Sequence, residues 1–186
     1  NYKLTATPRV EAFPDAPFYF APPGQGYGFL NNPAFYRVRG PLELEWSATD
    51  GTGHNLYVTH FAPPQAQIIL ADSPRPVTPP FETTYLLSRK SAKPAERVRY
   101  TSVIHPTGGA GKIGAVTELK SEDGANSAIV ALRIAPENKA LGEHLYFADP
   151  AGTSPHRFAG GIAFQGREAF ARFDAAALMA LLETAD

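Results

Sequence analysis

With 186 residues, 44% of them hydrophobic and 11% aromatic, the chain has material for one sizeable core. Lys+Arg 17 against Asp+Glu 18 leaves a net charge of −1, which excludes a general binder of nucleic acid or of membrane surfaces, since either needs a basic excess. The absence of cysteine removes disulfides, thiolate catalysis and cysteine zinc sites together, and no apolar run approaches the ~18 residues of a membrane span.

In chain order, Asn1 to Val10 reads as a first strand, with Leu4 and Ala6 facing opposite to Thr5 and Thr7. Between Phe13 and Pro23 aromatic rings alternate with prolines, and proline at that density is incompatible with a central strand, so the segment is read as an ordered peripheral arm. Pro23 to Phe29 is a glycine-rich loop carrying Tyr27 and Phe29. Regular strands begin at Ala34: Phe35 to Arg39, then Leu42 to Ala48, joined at Gly40-Pro41. In Leu42-Glu43-Leu44-Glu45-Trp46-Ser47 a period of two puts apolar residues on one face and carboxylates on the other.

Asp50-Gly51-Thr52-Gly53 predicts a hairpin into Asn55–Phe61. Gln67 to Ala71 is a short apolar strand, and Ser73 to Phe81, with four prolines, a loop. Thr83–Ser88 and Arg97–Ile104 read as a hairpin across the polar Lys90–Glu96 connection. Strands at Ile113–Lys120, Ser127–Ile134 and Glu143–Ala148 follow. Gly160–Phe164 and Glu168–Phe173 read as a last hairpin around Gln165-Gly166, after which Asp174 caps a helix over Ala175–Leu182. The pattern predicts an all-β chain: one antiparallel, jelly-roll-like β-sandwich over residues 1–186, with a proline-rich N-terminal arm and a short C-terminal helix. Because the chain begins at Asn1 rather than Met, it is read as a domain excised from a larger multidomain protein.

Several motifs invite chemistry and fail on their surroundings. Gly108-Gly109-Ala110-Gly111-Lys112 lacks the spacing of a phosphate-binding loop, has no Ser or Thr after the lysine, and precedes a strand. His54, His60, His105, His144 and His156 show no i, i+2 or i, i+4 pairing, so neither a metal nor another cofactor is expected. His60 shares a face with Leu56 and Val58 and is read as a partly buried, hydrogen-bonded histidine. His105, before Pro106, ends a strand and could face a groove, but a general base needs a polarising partner that sequence does not locate. There is no Gly-x-Ser-x-Gly elbow, and Glu43 and Glu45 read as a solvated face rather than a glycosidase pair.

Carbohydrate binding needs exposed rings for stacking and nearby charged groups for hydroxyls and carboxylates. Tyr27 and Phe29 on the glycine loop, with Arg37 and Arg39 on the following strand, form the best such cluster. Two arginines on one strand face suit bidentate bonds to uronate carboxylates. The competing reading uses the rings to anchor the loop and pairs the arginines with Glu43 or Glu45. Trp46, on the face of Leu42 and Leu44, is assigned to the core.

Gly28-Phe29-Leu30-Asn31-Asn32 runs into Tyr36-Arg37-Val38-Arg39-Gly40, then Trp46-Ser47-Ala48 before the Asp-Gly turn. Asn55-Leu56-Tyr57-Val58-Thr59-His60, Ile68 to Pro74, Tyr85 to Arg89 and Thr101-Ser102-Val103-Ile104-His105-Pro106 follow. In order and texture, residues from about Gly26 to Leu119 resemble the C-terminal β-sandwich region of the heparinase II/III-like polysaccharide lyases. The resemblance implies a parent with a helical α/α-toroid followed by β-sandwich domains, cleaving uronate-containing polysaccharide by β-elimination. It implies a bacterial periplasmic or secreted location. Most catalytic residues of such enzymes lie in the toroid. No histidine–aspartate pair follows Arg37-Val38-Arg39-Gly40, so no catalytic or metal residue transfers.

The expectation is a non-catalytic accessory module of a lyase-like enzyme, packing on the catalytic domain of its own parent chain and binding acidic polysaccharide. An independent carbohydrate-binding module and a structural or protein-interaction sandwich without glycan affinity are the alternatives.

Overall fold

In the computed structural model the described residues are 2–4, 11–12, 31–37, 40–47, 53–75, 81–108, 113–122 and 128–173. They are almost entirely antiparallel β, as the alternating sequence requires, and the chain divides into two compact units, Asn1–Ile104 and His105–Asp186. The proline-rich arm around residues 13–23 and the helix expected over Ala175–Leu182 lie outside the described residues.

The first unit contains β1 (Tyr2–Leu4), β2 (Glu11–Ala12), β3 (Asn31–Arg37), β4 (Leu42–Ser47), β5 (His54–Phe61), β6 (Gln67–Arg75) and β7 (Phe81–Arg89). A further strand, β8 (Thr101–Gly108), carries the chain across the boundary between units. These strands form two four-stranded sheets, in the orders β1-β4-β5-β8 and β2-β3-β6-β7. The β4–β5 hairpin forms where the Asp-Gly turn predicts it, pairing Leu42 with His60, Leu44 with Val58 and Trp46 with Leu56.

That register puts Leu42, Leu44 and Val58 on one face, where they pack with Ile68 and Leu70 of the second sheet into one buried cluster. Trp46, Tyr36 and Leu86 lean on it, partly buried. Two sheets closed over shared apolar side chains are a β-sandwich. Each Leu or Ile fully withdrawn from water here contributes about 1.5–3 kcal/mol. Ile69 and Ala71, on the opposite face of β6, are also buried, beside Phe35 and Leu87.

Two local features explain how prolines enter strands. Pro33 sits in a register shift between Asn31 and Ala34, and Asn32 takes φ 49°, a left-handed conformation that asparagine tolerates better than most residues. The irregularity removes the demand for the ladder N–H that proline lacks. Pro74 pairs with Glu82 on β7, beyond the last β3–β6 partners, Asn31 and Asp72. Among the described residues β6 has one neighbour there instead of two, which is where a proline is tolerated.

The strand pairing departs from the sequence expectation in two places. Thr83–Ser88 does not form a hairpin with Arg97–Ile104. Strand β7 pairs along its length with β6, whereas β8 begins at Thr101 beside β5 in the other sheet. The strands β6 and β7 run up to the proline-rich 76–80 segment from both sides, so a local hairpin takes the partner that the longer polar connection seemed to supply. That connection is closed on itself instead: Lys90 Nζ lies 2.7 Å from Glu96 Oε1, and Lys93 N–H donates to Glu96 Oε2 at 2.9 Å. Gly160–Phe164 and Glu168–Phe173 likewise belong to different sheets.

The second unit contains β9 (Ile113–Glu118), β10 (Val130–Pro136), a 3-10 turn at Lys139–Leu141, β11 (Glu143–Ala148), β12 (His156–Phe158), β13 (Ile162–Phe164) and β14 (Glu168–Phe173). Its main sheet has the order β14-β11-β10-β9, and β12-β13 is a separate hairpin. Gly160 and Gly161, at φ 81° and 70°, make the hairpin turn that side-chain-bearing residues resist. Ile129, Ala131, Leu145, Phe147, Phe158 and Phe164 form the core. The Phe147 ring lies 5.3 Å from Phe158 and 5.0 Å from Phe164, so three rings bind the hairpin to the sheet.

Candidate functional site

Of the four residues singled out for glycan contact, Tyr27, Phe29 and Arg39 lie outside the described residues. Arg37 is the last residue of β3. It pairs with Glu11 on β2 and with Gln67 on β6, and Gln67 pairs with Arg89 on β7. Side chains alternate along a strand and align across strands, so Gln67 and Arg89 share one face of the sheet, and Glu11 and Arg37 hold the register positions next in that row.

Arg89 is exposed, and its Nε donates to Gln67 Oε1 at 2.7 Å. The hydrogen bond fixes one edge of the guanidinium. The next rows on this face are Phe35–Ile69–Leu87 and Ala71–Tyr85. Tyr85, 39% exposed, offers a ring and a hydroxyl on the same face. Sequence reading grouped Arg37 with Arg39 along one strand; the register adds Arg89, far away in the chain. No local signal marks that neighbour, because it depends on which strands pair.

His60 is buried, as its apolar neighbours predict, and its Nδ1 lies 2.8 Å from Ser102 Oγ. Its ring also stacks on Tyr100 at 6.2 Å. Serine and histidine at this distance resemble the front half of a nucleophilic pair. However, His60 Nε2 is buried without a hydrogen-bond partner among the described residues. A buried N–H left without an acceptor is rarer and costlier than an unused lone pair. The favoured tautomer therefore carries its proton on Nδ1 and donates it to Ser102 Oγ, and an imidazole that donates to the hydroxyl cannot take that hydroxyl's proton. Burial also lowers the His60 pKa, which keeps the ring neutral.

Glu45 is held in a polar network. Its Oε1 accepts from Ser47 Oγ at 3.2 Å, Asn55 Nδ2 at 3.0 Å and Tyr57 Oη at 3.1 Å. Glu43, two residues away, is exposed, as expected for the solvated face.

In the second unit Asp149 and His156 are both buried and joined at 3.0 Å, Oδ2 to Nε2. Asp149 Oδ1 also accepts the Ala151 N–H at 3.0 Å. Bonds from His156 and from the backbone N–H groups of Ala151 and Gly152 hold the Asp149 pKa below its ordinary value. With the carboxylate ionised, Nε2 is the protonated nitrogen and donates. The pair is enclosed and every described polar contact is internal, which makes it a loop clamp.

Among the described residues no three His, Cys, Asp or Glu side chains converge to hold a metal ion, and no helix is long and apolar enough to cross a membrane. Comparison with known protein families, with curated proteins and with solved structures finds no match to this chain.

Proposed function

We propose that this chain is a non-catalytic β-sandwich accessory module that binds acidic polysaccharide, working beside the catalytic domain of a lyase-like parent enzyme in the periplasm or outside the cell. The observation that carries the reading is the row Arg37–Gln67–Arg89 across three neighbouring strands. Two guanidinium-bearing positions on one sheet face match the carboxylates that recur along a polyuronate, because arginine forms planar paired hydrogen bonds to carboxylate. The lyase-like parent rests on the sequence resemblance between Gly26 and Leu119.

Affinity electrophoresis through gels containing alginate, pectate or a neutral glucan tests the reading, with each polymer also assayed for unsaturated products. Retardation in the acidic gels alone, without products, and its loss in Arg37→Ala and Arg89→Ala, is the expected outcome. Retardation should also weaken with added salt, since exposed charges are screened beyond about 10 Å at 0.1 M. Unsaturated products would make the chain an enzyme, and migration unaffected by any polymer would make it a scaffold; either result overturns the proposal.

A further inference from the structure

The second unit carries an aromatic surface that the arginine row does not explain. Along β14 the residues alternate as Glu168, Ala169, Phe170, Ala171, Arg172 and Phe173. Ala169 and Phe173 turn inward onto the core cluster. Phe170 turns to the opposite face and is 65% exposed, a high value for so large an apolar side chain. An isolated exposed ring is unremarkable on a protein surface. This ring is built into an arrangement.

Phe170 pairs with Tyr146 on β11, and Arg172 pairs with His144. The Phe170 and His144 rings stack with centroids 5.2 Å apart and planes 19° from parallel. The stack holds the phenyl group in place, so that a ligand would meet a flat surface already ordered. Tyr146 Oη donates to Glu168 Oε1 at 3.0 Å, which occupies one oxygen of the carboxylate nearest the ring along β14. Arg172 is exposed, directly across from His144. On the β10 and β9 side of the same face, Leu132 and Val116 are buried. On the β14 side Glu168, Phe170 and Arg172 are all exposed.

We propose that Phe170, His144 and Arg172 form a second glycan contact, in which one uronate ring of an acidic polysaccharide stacks on Phe170 and its carboxylate meets the Arg172 guanidinium. The flat phenyl face suits the axial C–H groups of a pyranose, much as aromatic platforms receive other ring systems. Arg172 supplies charge complementarity, and Glu168 and Tyr146 provide the polar edge that hydroxyls need. The choice of an acidic glycan rests on the function proposed above, but the residues belong to a different sheet and are tested separately.

The full chain, as wild type and as Phe170→Ala, Phe170→Leu, Phe170→Trp, Arg172→Gln and the double variant Arg37→Ala/Arg89→Ala, is run through alginate gels. Far-UV circular dichroism and thermal midpoints serve as fold controls. Phe170→Ala and Phe170→Leu should each weaken binding about tenfold, while Phe170→Trp keeps it, because a flat ring and not merely an apolar group is required. Arg172→Gln should weaken binding and flatten its salt dependence.

Phe170→Leu is apolar and close in size, so it keeps the test valid if the alanine variant disturbs folding. Wild-type retardation in both Phe170→Ala and Phe170→Leu overturns the second contact. If the double arginine variant alone loses binding, the first site stands and this one falls. If only the Phe170 variants lose it, this contact stands and the arginine row falls. A wild-type chain that is not retarded at all overturns both.

Discussion

Asp149 and His156 face each other inside the second unit, Oδ2 3.0 Å from Nε2, with both side chains all but removed from water. Charge buried at this depth survives only when it is fully hydrogen-bonded, and here two strand ends are tied by it. Asp149 follows β11, and its N–H donates to Arg167 O at 2.8 Å just before β14. His156 opens β12.

Acid should loosen this clamp in a defined window. The Asp149 pKa is held below its ordinary 3.8, first by the His156 bond and then by backbone N–H groups. Between the lowered folded value and 3.8 the unfolded chain binds a proton that the folded chain refuses. The stabilisation is complete above 3.8 and is lost as pH falls through the folded value. Thermal midpoints recorded down this range should fall more steeply for wild type than for Asp149→Ala. The variant itself should melt lower at neutral pH, because His156 and the Ala151 N–H lose their acceptor. Parallel wild-type and variant curves would rule out the linkage.

His60 acts in the same direction at higher pH. Burial lowers its pKa from 6.5, so below 6.5 the unfolded chain takes up a proton before the folded chain does. Stability should decline on acidification from pH 6.5 and stop declining once the folded histidine also titrates. His60→Phe keeps a ring against Tyr100 and should remove this component. Ser102, exposed on β8, finds water in its place. Midpoints measured from pH 7.5 to 5 give the comparison.

Phenylalanine should show two opposite behaviours in the second unit. Phe158, at the end of β12, is wholly buried against Phe147, and Phe158→Ala should cost about 3–5 kcal/mol in urea unfolding, from lost burial plus the cavity left behind. Phe170→Ala, at an exposed position, should stay within about 0.5 kcal/mol of wild type. Comparable losses at the two sites would contradict the burial described here.

Glycine should separate in the same manner. Gly142 takes φ 75°, and a Cβ there would run into the Phe173 carbonyl oxygen. Gly53 takes φ 71° with nothing within 4 Å of its Cβ position. Gly53→Ala should therefore cost about 1–2 kcal/mol from the left-handed backbone alone. Gly142→Ala should cost more, because the end of β14 must also move. Equal urea midpoints for the two variants would refute the distinction.

Strand identity was legible in the sequence because alternation is a local property. Leu42 to Ser47 reads as a half-buried strand without reference to anything else, and the Asp-Gly turn names its partner. Pairing over longer distances was not legible. Thr83–Ser88 and Arg97–Ile104 alternate well enough to suit each other, yet nothing between Lys90 and Glu96 records that the chain changes sheets there. The same limit hid Arg89 as the neighbour of Gln67 and His144 as the support of Phe170. In each case the two residues carry ordinary local signals, and only register brings them together. Buried His60 was readable from Leu56 and Val58 on its face; buried Asp149, between a strand and a proline, was not.

The nine-pair ladder between β6 and β7, from Gln67–Arg89 to Arg75–Phe81, bears on the order of events as the chain acquires its structure. Its strands are joined by the brief 76–80 segment, whereas the pairing of β5 with β8 must close everything between Phe61 and Thr101. Loop closure grows with the logarithm of length, and the difference favours the β6–β7 hairpin by about 2 kcal/mol. Ile68, Ile69, Leu70 and Leu87 make that hairpin apolar on both faces. Pulse-labelled amide exchange should thus find β6 and β7 protected before β8. Early protection of β8 would argue for another nucleus. With the hairpin first, half of the arginine row, Gln67 beside Arg89, is set before β3 arrives to complete it.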